Sequence, residues 1–360
     1  MRKIIYTLIA CLGTAPPLAT AQPSWTVEQR FPFNIQIQKT RIFEYKALTT
    51  AQKPWRICVL VPHLKDAYWI GIDYGLISQA SHLGINLELF EAGSYYKKDQ
   101  QLKQLVHCLK QPFDAILIGT VDPALLNQYH GQINKPIIAL VNRLDSPVVN
   151  TRIGVNWYQM GWTAGHYITQ SVTSLAPNPV KLALLTGPES VGGSDWVEQG
   201  IIDAIANSPI KVSSIRHTDN NRDLYREQLH NLLKDHVPDY ILGSAVAIEA
   251  AIGSLQQAKM TNQVKLVSSY LSPATLRGLY RHKVVFSNDD QVVLQGKLAI
   301  DIVIKELEGA KPFGDIGPQI RGLKQGEMSL KTLSNSLAPA DFYPIYRVNP
   351  DQSSTLEANK

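Results

Sequence analysis

Aromatic residues recur at the ends of predicted strands. Tyr68 and Trp69 follow the apolar run "ICVLVP", Tyr95 follows "LELFEA", Tyr270 closes "KLVSSY", and Trp157 lies between the two halves of the chain. A single ring in such a place is more often rim packing than a ligand contact, because Tyr and Trp are commonly part-buried. Several rings facing one cleft would instead form a cage that attracts a compact cation, with up to about 2 kcal/mol per ring where water is excluded.

Acidic and basic residues lie near the same strand ends. They are Asp66, Asn142, Arg143, Asp289 and Asp290. Solvated loop charge or a helix N-cap is the commoner role for each, since Asp and Asn are leading N-cap residues. The functional interpretation makes Asp66 or Asp290 the partner of a positive charge on a ligand.

Catalytic and metal-binding motifs are absent from the sequence. The nine His residues are scattered, and no G-x-S-x-G, Walker A or G-x-G-x-x-G motif occurs. In "TGPESVGGSDWVEQG", residues 186–200, a Gly-Gly-Ser sequence opens a helix after a strand; its backbone N–H groups could face an anion, but a capped strand-to-helix turn is commoner. The sequence therefore predicts a protein that is not an enzyme, with no metal and no cofactor.

The elements that position these residues alternate between strand and helix. The fold class predicted is α/β, with two doubly wound parallel-sheet domains around an interdomain cleft. Gly84 and Gly309 lie where helix-ending glycines belong. In such sheets ligands bind outside the carboxyl ends of the strands, which is where the rings are. The predicted strands are "RICVLVP", "NLELFEA", "FDAILIGT", "PIIALVN", "KLALLTG", "KVSSIRH", "DYILGSA", "KLVSSYL" and "KVVFSND", and the predicted helices "AYWIGIDYGLISQASHLG", "KKDQQLKQLVHCLKQ", "WVEQGIIDAIANS", "RDLYREQLHNLLKDH" and "QVVLQGKLAIDIVIKELEG".

Length sets the domain count. A chain of 360 residues and 40.0 kDa is too long for a typical single core and fits two domains. The predicted organisation is a signal peptide (1–21), an N-terminal arm (22–54), an N-terminal α/β domain (55–155 and 290–320), a C-terminal α/β domain (156–289 and 321–345) and a flexible tail (346–360).

The first residues predict export to the periplasm. Arg2 and Lys3 precede the apolar run "IIYTLIACL" and a small-residue cleavage site ending at Ala21. A lipoprotein signal with Cys11 lipidated is the alternative, although its apolar core would be very short. No later stretch approaches the 18 or so apolar residues of a membrane span, so we expect a soluble mature protein. Without the signal, 33 basic residues face 30 acidic ones, and no basic run indicates nucleic acid.

Two cysteines remain once Cys11 leaves with the signal. Cys58 and Cys108 would then form one pair in an oxidising compartment, where a disulfide is allowed. Two buried free thiols are the equally weighted alternative, because Cys is often a small core residue.

Six strings of the sequence resemble one protein family. They are "CVLVPHLKDAYWIGIDYG", "LELFEAGSYY", "IGVNWYQMGW", "LLTGPESVGGSDWVEQG", "VSSYLSPATLRGLYR" and "SNDDQVVLQGKLA", in order along nearly the whole mature chain. The chain thereby resembles the type I periplasmic binding proteins, and among them the members that sense trimethylamine N-oxide (TMAO). This resemblance implies a solute-binding sensor that detects TMAO and signals to the periplasmic domain of the sensor histidine kinase TorS. It also implies ligand binding by Tyr68, Trp69, Tyr95, Trp157 and Tyr270, with Asp66 nearby.

The main alternative is a protein of the same superfamily that binds a sugar or another small solute and feeds an ABC transporter. "LVNR", residues 140–143, resembles the polar strand end that holds sugar hydroxyls. Against it, sugar binders usually carry an Arg where this chain has Trp196 and Val197, and a sugar cleft needs many hydrogen-bonding side chains. Two surfaces could meet the kinase. The exposed helices of the first domain and the N-terminal arm are both candidates, but an arm packing across its own hinge is commoner.

Overall fold

The computed structural model describes residues 22–33, 38–172, 178–326 and 333–350. The predicted signal peptide, the alternative lipidation at Cys11 and residues 351–360 of the predicted tail lie outside this part of the chain. Within it, two α/β domains are each built on a mostly parallel sheet. This confirms the predicted fold class.

The first sheet has nine strands in the order β15-β4-β3-β5-β6-β7-β13-β1-β2. Strands β3 to β7 and β13 run parallel, while β1, β2 and β15 are added antiparallel at the two sides. The strands are β1 (Ser24–Phe31), β2 (Lys39–Lys46), β3 (Arg56–Val61), β4 (Asn86–Glu91), β5 (Ala115–Ile118), β6 (Ile137–Leu140), β7 (Thr151–Ile153), β13 (Gly314–Pro318) and β15 (Arg347–Val348).

The second sheet has six strands in the order β14-β12-β11-β10-β8-β9, with only β14 antiparallel. Its central strands, like those of the first sheet, are fully buried, as the continuous Val, Ile and Leu runs predict. The strands are β8 (Val180–Gly187), β9 (Ile210–His217), β10 (Tyr240–Gly243), β11 (Lys265–Ser268), β12 (Phe286–Asp289) and β14 (Arg321–Lys324).

Eight α-helices cover the sheets in the described part of the chain. All five predicted helices are present, and Gly84 and Gly309 have the positive φ angles, 64° and 98°, that left-handed helix-ending residues adopt. The helices are α1 (Ala67–Leu83), α2 (Lys98–Lys110), α3 (Trp157–Ser171), α4 (Ser194–Ile205), α5 (Arg222–Asp235), α6 (Ala245–Gln257), α7 (Pro273–Tyr280) and α8 (Val292–Leu307), with a 3-10 turn at Leu125–Gln128.

Glycines bring the main helix pair of each domain into close contact. A Cβ atom on Gly75 of α1 would lie 2.1 Å from the carbonyl oxygen of Val293 in α8. A Cβ atom on Gly161 of α3 would lie 1.9 Å from the carbonyl oxygen of Val197 in α4. Any larger residue at either position would push the two helices apart, so these packings require glycine.

The chain passes between the two sheets four times. The first three passages follow β7, β12 and β13, at residues 154–156, 290–291 and 319–320, and the fourth connects β14 to β15. Helix α3, which begins just after the first passage, packs on α4 and β12 of the second domain. These three adjacent segments form the hinge of the molecule.

The N-terminal segment is part of the first sheet and lies against the hinge. Strand β1 pairs with β13, and the buried Arg30 side chain donates hydrogen bonds to Asp315 Oδ1 and to the carbonyl oxygen of Gly154. Arg152 donates to both oxygens of the same carboxylate, at 3.0 and 2.9 Å. Gln38 donates to Asp315 Oδ2 over 2.9 Å. Arg30, Arg152 and Asp315 thus connect β1, β7 and β13. The first and third passages between the sheets begin at the ends of β7 and β13.

The predicted tail and domain boundary require a correction. We expected residues 346–360 to form a flexible tail, but Arg347–Val348 form β15 and pair with β4, whose edge is otherwise open. We also expected the chain up to 345 to belong to the C-terminal domain. Instead, Phe342 packs its ring 5.0 Å from Tyr74 of α1, and Ile345 N donates to Asp73 Oδ2, so this segment lies on the first domain.

Cys58 of β3 and Cys108 of α2 are joined by a disulfide within the first domain. Their Cα atoms are 6.1 Å apart, inside the range of native disulfides. Of the two possibilities that the sequence leaves open, a disulfide and two free thiols, the structure has the disulfide.

Candidate ligand-binding site

One cavity between the domains is lined by all six residues that the sequence resemblance implies as ligand-binding. It has a volume of about 30 Å³ and lies at the carboxyl ends of the strands. A single water needs roughly 10–15 Å³ of such space, so the cavity accepts a compact solute of a few non-hydrogen atoms. Whether each side chain contacts a ligand stays a prediction. The six are Asp66, Tyr68, Trp69, Tyr95, Trp157 and Tyr270.

The start of α1 supplies one wall of the cavity. Asp66 is the N-cap, and its Oδ1 accepts a hydrogen bond from Trp69 N over 3.1 Å, which is the commoner role considered for it. Its other oxygen, Oδ2, is buried without a hydrogen-bond partner among the described residues and lies 4.0 Å from His63 Nε2. Burial raises the pKa of the Asp66 carboxyl, and the nearby His63 and the backbone N–H groups oppose that shift. Asp66 therefore caps the helix with one oxygen, while the other makes no hydrogen bond to the described residues.

Five aromatic side chains line the cavity and are called the cage here: Tyr68, Trp69, Tyr95, Trp157 and Tyr270. Tyr68 is the central ring. Its ring centroid lies 6.0 Å from Trp69, 6.0 Å from Trp157 and 5.1 Å from Tyr270. The contacts with Trp69 and Tyr270 are edge-to-face, an arrangement that aromatic pairs prefer. Since Trp157 begins α3 and Tyr270 follows β11, the cage joins rings from both domains.

Two hydrogen-bond donors of the cage have no partner among the described residues. Trp157 Nε1 and Tyr270 Oη are both buried and make no hydrogen bond of good geometry, although the Ser244 hydroxyl is near enough to Tyr270 to oppose its pKa shift slightly. By contrast, Trp69 Nε1 donates to Tyr95 Oη over 3.1 Å. Buried polar groups are normally paired, so a ligand acceptor reaching Trp157 and Tyr270 would satisfy both.

The tyrosine hydroxyls of the cage remain protonated at physiological pH. Burial raises the pKa of Tyr68 and of Tyr270 well above the usual value, and the neighbouring carboxylates Asp290 and Asp66, respectively, add to the shift. Burial also raises the pKa of Tyr95. A protonated phenol is a hydrogen-bond donor, so the cavity presents donors and ring faces rather than phenolate charge.

Two glycines let the second domain close over the rings. Gly192 and Gly193 have positive φ angles of 60° and 81°. A Cβ atom on Gly192 would lie 2.9 Å from the Tyr95 ring, and one on Gly193 would lie 2.7 Å from the Trp157 ring. The loop before α4 is thus a strand-to-helix turn, as predicted, and it also covers the cage.

The other polar strand-end residues lie around the cavity without lining it. Asn142 Nδ2 donates to the Thr120 carbonyl over 2.8 Å, and the Arg143 guanidinium lies 4.8 Å from the Trp196 ring of the other domain. Asp289 accepts from Arg321, over 2.5 Å at the shorter contact, and from Ser336. Asp290 accepts from the Tyr68 hydroxyl over 2.8 Å, so it faces a cage ring and not the cavity.

Seven further residues line the cavity and were not selected from the sequence as ligand contacts. All seven come from the second domain, and several are small or apolar side chains that carry no functional signal by type. The adjacent pair of glycines was the one signal that could have indicated a close approach. The seven are Thr186, Pro188, Gly192, Ser194, Val197, Asn220 and Ser269.

Neither a metal centre nor a membrane-crossing helix is found in the described ranges. No group of three or more His, Cys, Asp or Glu side chains among those residues could hold a metal ion. No described helix is long and apolar enough to cross a bilayer. The described part of the site contains aromatic rings, two hydrogen-bond donors without a partner, and one carboxylate oxygen that makes no hydrogen bond to those residues.

Residues 54–343 match the family described as periplasmic binding proteins and sugar binding domain of the LacI family. The chain therefore belongs to this family, which is in general one of binding proteins and not of enzymes. Within it the chain is similar to the periplasmic protein TorT. It is 35% identical to TorT of Escherichia coli O157:H7 and 34% identical to TorT of strain K12, over 297 residues that cover 82% of this chain and 85% of each relative. These relatives confirm both the resemblance carried by the motifs and the periplasmic location.

Solved structures agree with this placement. TorT in complex with the TorS sensor domain is 36% identical, with TM-scores of 0.74 in the absence of ligand and 0.73 in the presence of TMAO, over 81% of this chain and 99% of that one. An ABC transporter solute binding protein from Bradyrhizobium sp. BTAi1 with bound Bis-Tris gives a TM-score of 0.77 at 30% identity, over 91% and 99% of the two chains. A D-fucose-bound protein from Agrobacterium vitis, 15% identical, shares the fold alone.

Proposed function

We propose that this protein is a periplasmic sensor that binds TMAO between its two domains and signals to the periplasmic sensor domain of a TorS histidine kinase. The observation that carries the proposal is the cage itself. Four of its rings, from both domains, contact one another around a small cavity in which Trp157 Nε1 and Tyr270 Oη lack partners among the described residues. Similarity to TorT, which has been solved with the TorS sensor domain, supports the choice of partner.

The chemistry of TMAO matches these two features of the site. Its nitrogen carries three methyl groups and a positive charge, and its single oxygen carries the negative charge. Ring faces suit the methylated cationic side, while the indole N–H and the phenol O–H suit the oxygen. The free Asp66 Oδ2 adds a negative charge on the cationic side when it is ionised.

Affinity is limited by the size of this ligand. A solute of about five non-hydrogen atoms has a ceiling of roughly −7.5 kcal/mol, at about −1.5 kcal/mol per atom. This corresponds to a dissociation constant in the micromolar range. A sensor of a plentiful solute needs no tighter binding.

A sugar-binding transport protein is supported less well by the same site. The cavity of about 30 Å³ is small for a ring sugar, and Val197, one of the two residues that replace the Arg of sugar binders, lines it. Trp196, the other, packs against Arg143. Asn142, the amide of the sugar-like "LVNR" segment, donates to the Thr120 carbonyl and does not line the cavity. The small volume is the observation that weighs most against a ring sugar.

Signalling would depend on the two domains sharing one ligand. TMAO would contact Tyr68 of the first domain and Tyr270 of the second at the same time. It therefore binds more tightly when the cleft between the domains is closed, and it favours that closed state. The kinase can respond only to the extent that ligand affinity differs between the arrangements.

Calorimetric titration of the mature protein with TMAO, trimethylamine, glycine betaine and ribose tests the ligand. We expect micromolar binding of TMAO and weaker binding of trimethylamine, which lacks the oxygen. Binding of ribose alone would overturn the sensor proposal in favour of transport. Betaine binding as tightly as TMAO would mean that the N-oxide oxygen is not recognised. Titration of the TorS sensor domain with and without TMAO then tests the partner, and absence of binding in both conditions would contradict it.

A further inference from the structure

The central ring of the cage is held from behind by a buried carboxylate. Tyr68 Oη donates to Asp290 Oδ2 over 2.8 Å, and the Asp290 residue is only 1% exposed. Gln295 Nε2 donates to the same oxygen over 2.9 Å and to the Asp290 carbonyl over 2.7 Å. Among the described residues, Asp290 Oδ1 has no hydrogen-bond partner and no cationic side chain pairs with the carboxylate. A phenol and an amide are thus the side-chain groups that stabilise its charge.

Asp290 also lies at the second passage between the domains. It follows β12 of the second sheet directly, and α8 of the first domain begins two residues later. Tyr68 belongs to α1, which packs along α8. The hydrogen bond between them therefore links a hinge segment to the ring that touches Trp157 and Tyr270.

We propose that Asp290 is a positioning residue for a methylated cationic ligand and acts through Tyr68. Its carboxylate fixes the orientation of the phenol and makes the ring more electron-rich, so the ring face attracts a quaternary nitrogen more strongly. The attraction of a ring for a cation is electrostatic and grows with the negative charge on the ring face. A phenol that donates to an ionised carboxylate forms a charge-assisted hydrogen bond, which supplies that extra charge. This inference rests on the proposed function, because it assigns to Asp290, a residue outside the cavity, an effect on the affinity for TMAO.

The ionisation of Asp290 makes the effect depend on pH. Burial raises the pKa of Asp290 to about 6, and its neighbour Asp289, which is itself held by Arg321, adds to the shift. The donors Tyr68 and Gln295 oppose it. The carboxylate is charged above pH 6 and neutral below, so TMAO affinity should fall as the pH drops through 6.

The test is a double-mutant cycle on TMAO affinity. Dissociation constants of the wild-type protein, Asp290→Asn, Tyr68→Phe and the double variant are measured by calorimetry at pH 7.5 and pH 5. At pH 7.5 we expect each single variant to bind about fivefold more weakly, or about 1 kcal/mol, and the double variant to bind no more than about tenfold more weakly. The TMAO affinity of the wild-type protein should fall between pH 7.5 and pH 5. In Asp290→Asn the fold-change over the same pH range should be no more than half as large. His63 and Asp66 also lie near Tyr68 and Tyr95, but both residues are present in the wild-type protein and in the variant.

Asp73→Asn is the matched control. Asp73 is a buried α1 carboxylate outside the cavity, whose Oδ2 accepts from Ile345 N, and burial raises its pKa to about 7. We expect this variant to bind TMAO within twofold of wild type. Unchanged affinity in Asp290→Asn, identical pH profiles, or single-variant effects that multiply in the double variant would overturn the role of Asp290 while leaving TMAO binding intact. Failure of the wild-type protein to bind TMAO would overturn both this inference and the proposed function.

Discussion

Trp69 Nε1 donates a hydrogen bond to the Tyr95 hydroxyl over 3.1 Å and so joins the first turn of α1 to the loop after β4. The Trp69 indole is 1% exposed, and a Cβ atom on Gly119 would lie 2.4 Å from its Cη2 atom. The indole therefore fills space that only a glycine at 119 leaves open. Trp69 has two roles as a result, since it packs the first domain and forms a wall of the cavity.

The two tryptophans of the cavity should respond differently to truncation. Trp69→Ala removes a buried ring and its hydrogen bond, so we expect a loss of roughly 3–5 kcal/mol in the free energy of unfolding as well as weaker TMAO binding. Trp157→Ala should weaken TMAO binding at least tenfold, or about 1.4 kcal/mol, through the lost ring and N–H donor. Urea denaturation measures the change in stability, and calorimetry measures the change in TMAO affinity.

Trp162→Ala, which removes a ring stacked on His166, is the control and should leave TMAO affinity unchanged. Unchanged affinity in both cavity variants would remove these residues from the site.

Tyr270→Phe should weaken binding without weakening the fold. The Tyr270 hydroxyl has no hydrogen-bond partner among the described residues, so removing it costs no protein hydrogen bond and should leave stability unchanged or raised by up to about 1 kcal/mol. If the hydroxyl binds the N-oxide oxygen, TMAO affinity should fall about tenfold. Calorimetry and thermal denaturation of one preparation measure both quantities.

The matched control for that variant is Tyr45→Phe. The Tyr45 hydroxyl donates to Asp301 Oδ2 over 2.7 Å, away from the cavity. Its loss should cost roughly 1–3 kcal/mol of stability and leave TMAO affinity as it was. A Tyr270→Phe variant that behaves like Tyr45→Phe would show that Tyr270 is a structural residue.

Much of the fold could be predicted because its strands are buried on both faces. Runs such as "RICVLVP" and "DYILGSA" are apolar throughout, and the helices between them are amphipathic. Helix α3 was missed because three of its six buried residues are Gly or Ala, which allow close packing on α4 and weaken the apolar period. Strands β1 and β2 were missed because only one or two residues of each are buried.

The cage could be predicted because parallel strands present their carboxyl ends at one edge of a sheet. Tyr68, Trp69 and Tyr95 come together for that reason within the first domain. Contacts between the two domains cannot be predicted in this way, because they depend on the relative position of two separate sheets. The approach of Gly193 to Trp157 depends on how the two domains meet, and so does the distance between Tyr68 and Tyr270. The sequence also left open whether Asp290 would face the ligand, because its pairing with Tyr68 joins residues 222 positions apart.

Gly193→Ala tests whether closure of the second domain over the cage matters for binding. The added Cβ would lie 2.7 Å from the Trp157 ring, so either the ring or the loop must move. We expect TMAO affinity to fall at least tenfold. Gly309→Ala separates this clash from backbone strain, because Gly309 also has a positive φ but nothing lies within 4 Å of its added Cβ. Both variants should lose about 1–2 kcal/mol of stability. Equal TMAO affinities in the two variants would rule out the steric explanation.

Arg30→Met tests the link between the N-terminal strands and the hinge. Removing Arg30 takes one of two arginines from the buried Asp315 carboxylate and leaves the Gly154 carbonyl without that donor. Breaking a buried ion pair from one side typically costs about 3–5 kcal/mol, and we expect a loss near the lower figure because Arg152 remains. Arg41→Met, on the exposed strand β2, should change stability by less than about 0.5 kcal/mol. A small effect of Arg30→Met in urea denaturation would mean that the N-terminal strands do not stabilise the hinge.

The same network gives a pH dependence of stability with a defined sign. Asp315 is buried, which alone would raise its pKa, but Arg152 and Arg30 overcome that penalty and lower the pKa to about 2, from an ordinary value of 3.8. A carboxyl whose pKa is lower in the folded state stabilises the fold above its unfolded pKa and loses that contribution as the pH falls towards the folded value. Stability should therefore drop by about 2 kcal/mol between pH 4 and pH 2 on account of Asp315 alone. Because other carboxyls titrate in this range, the decisive measurement is the carbon-13 shift of the Asp315 carboxyl during acid titration. A midpoint near 4 would contradict this prediction, since it would mean that neither arginine holds the proton off Asp315 in the folded protein.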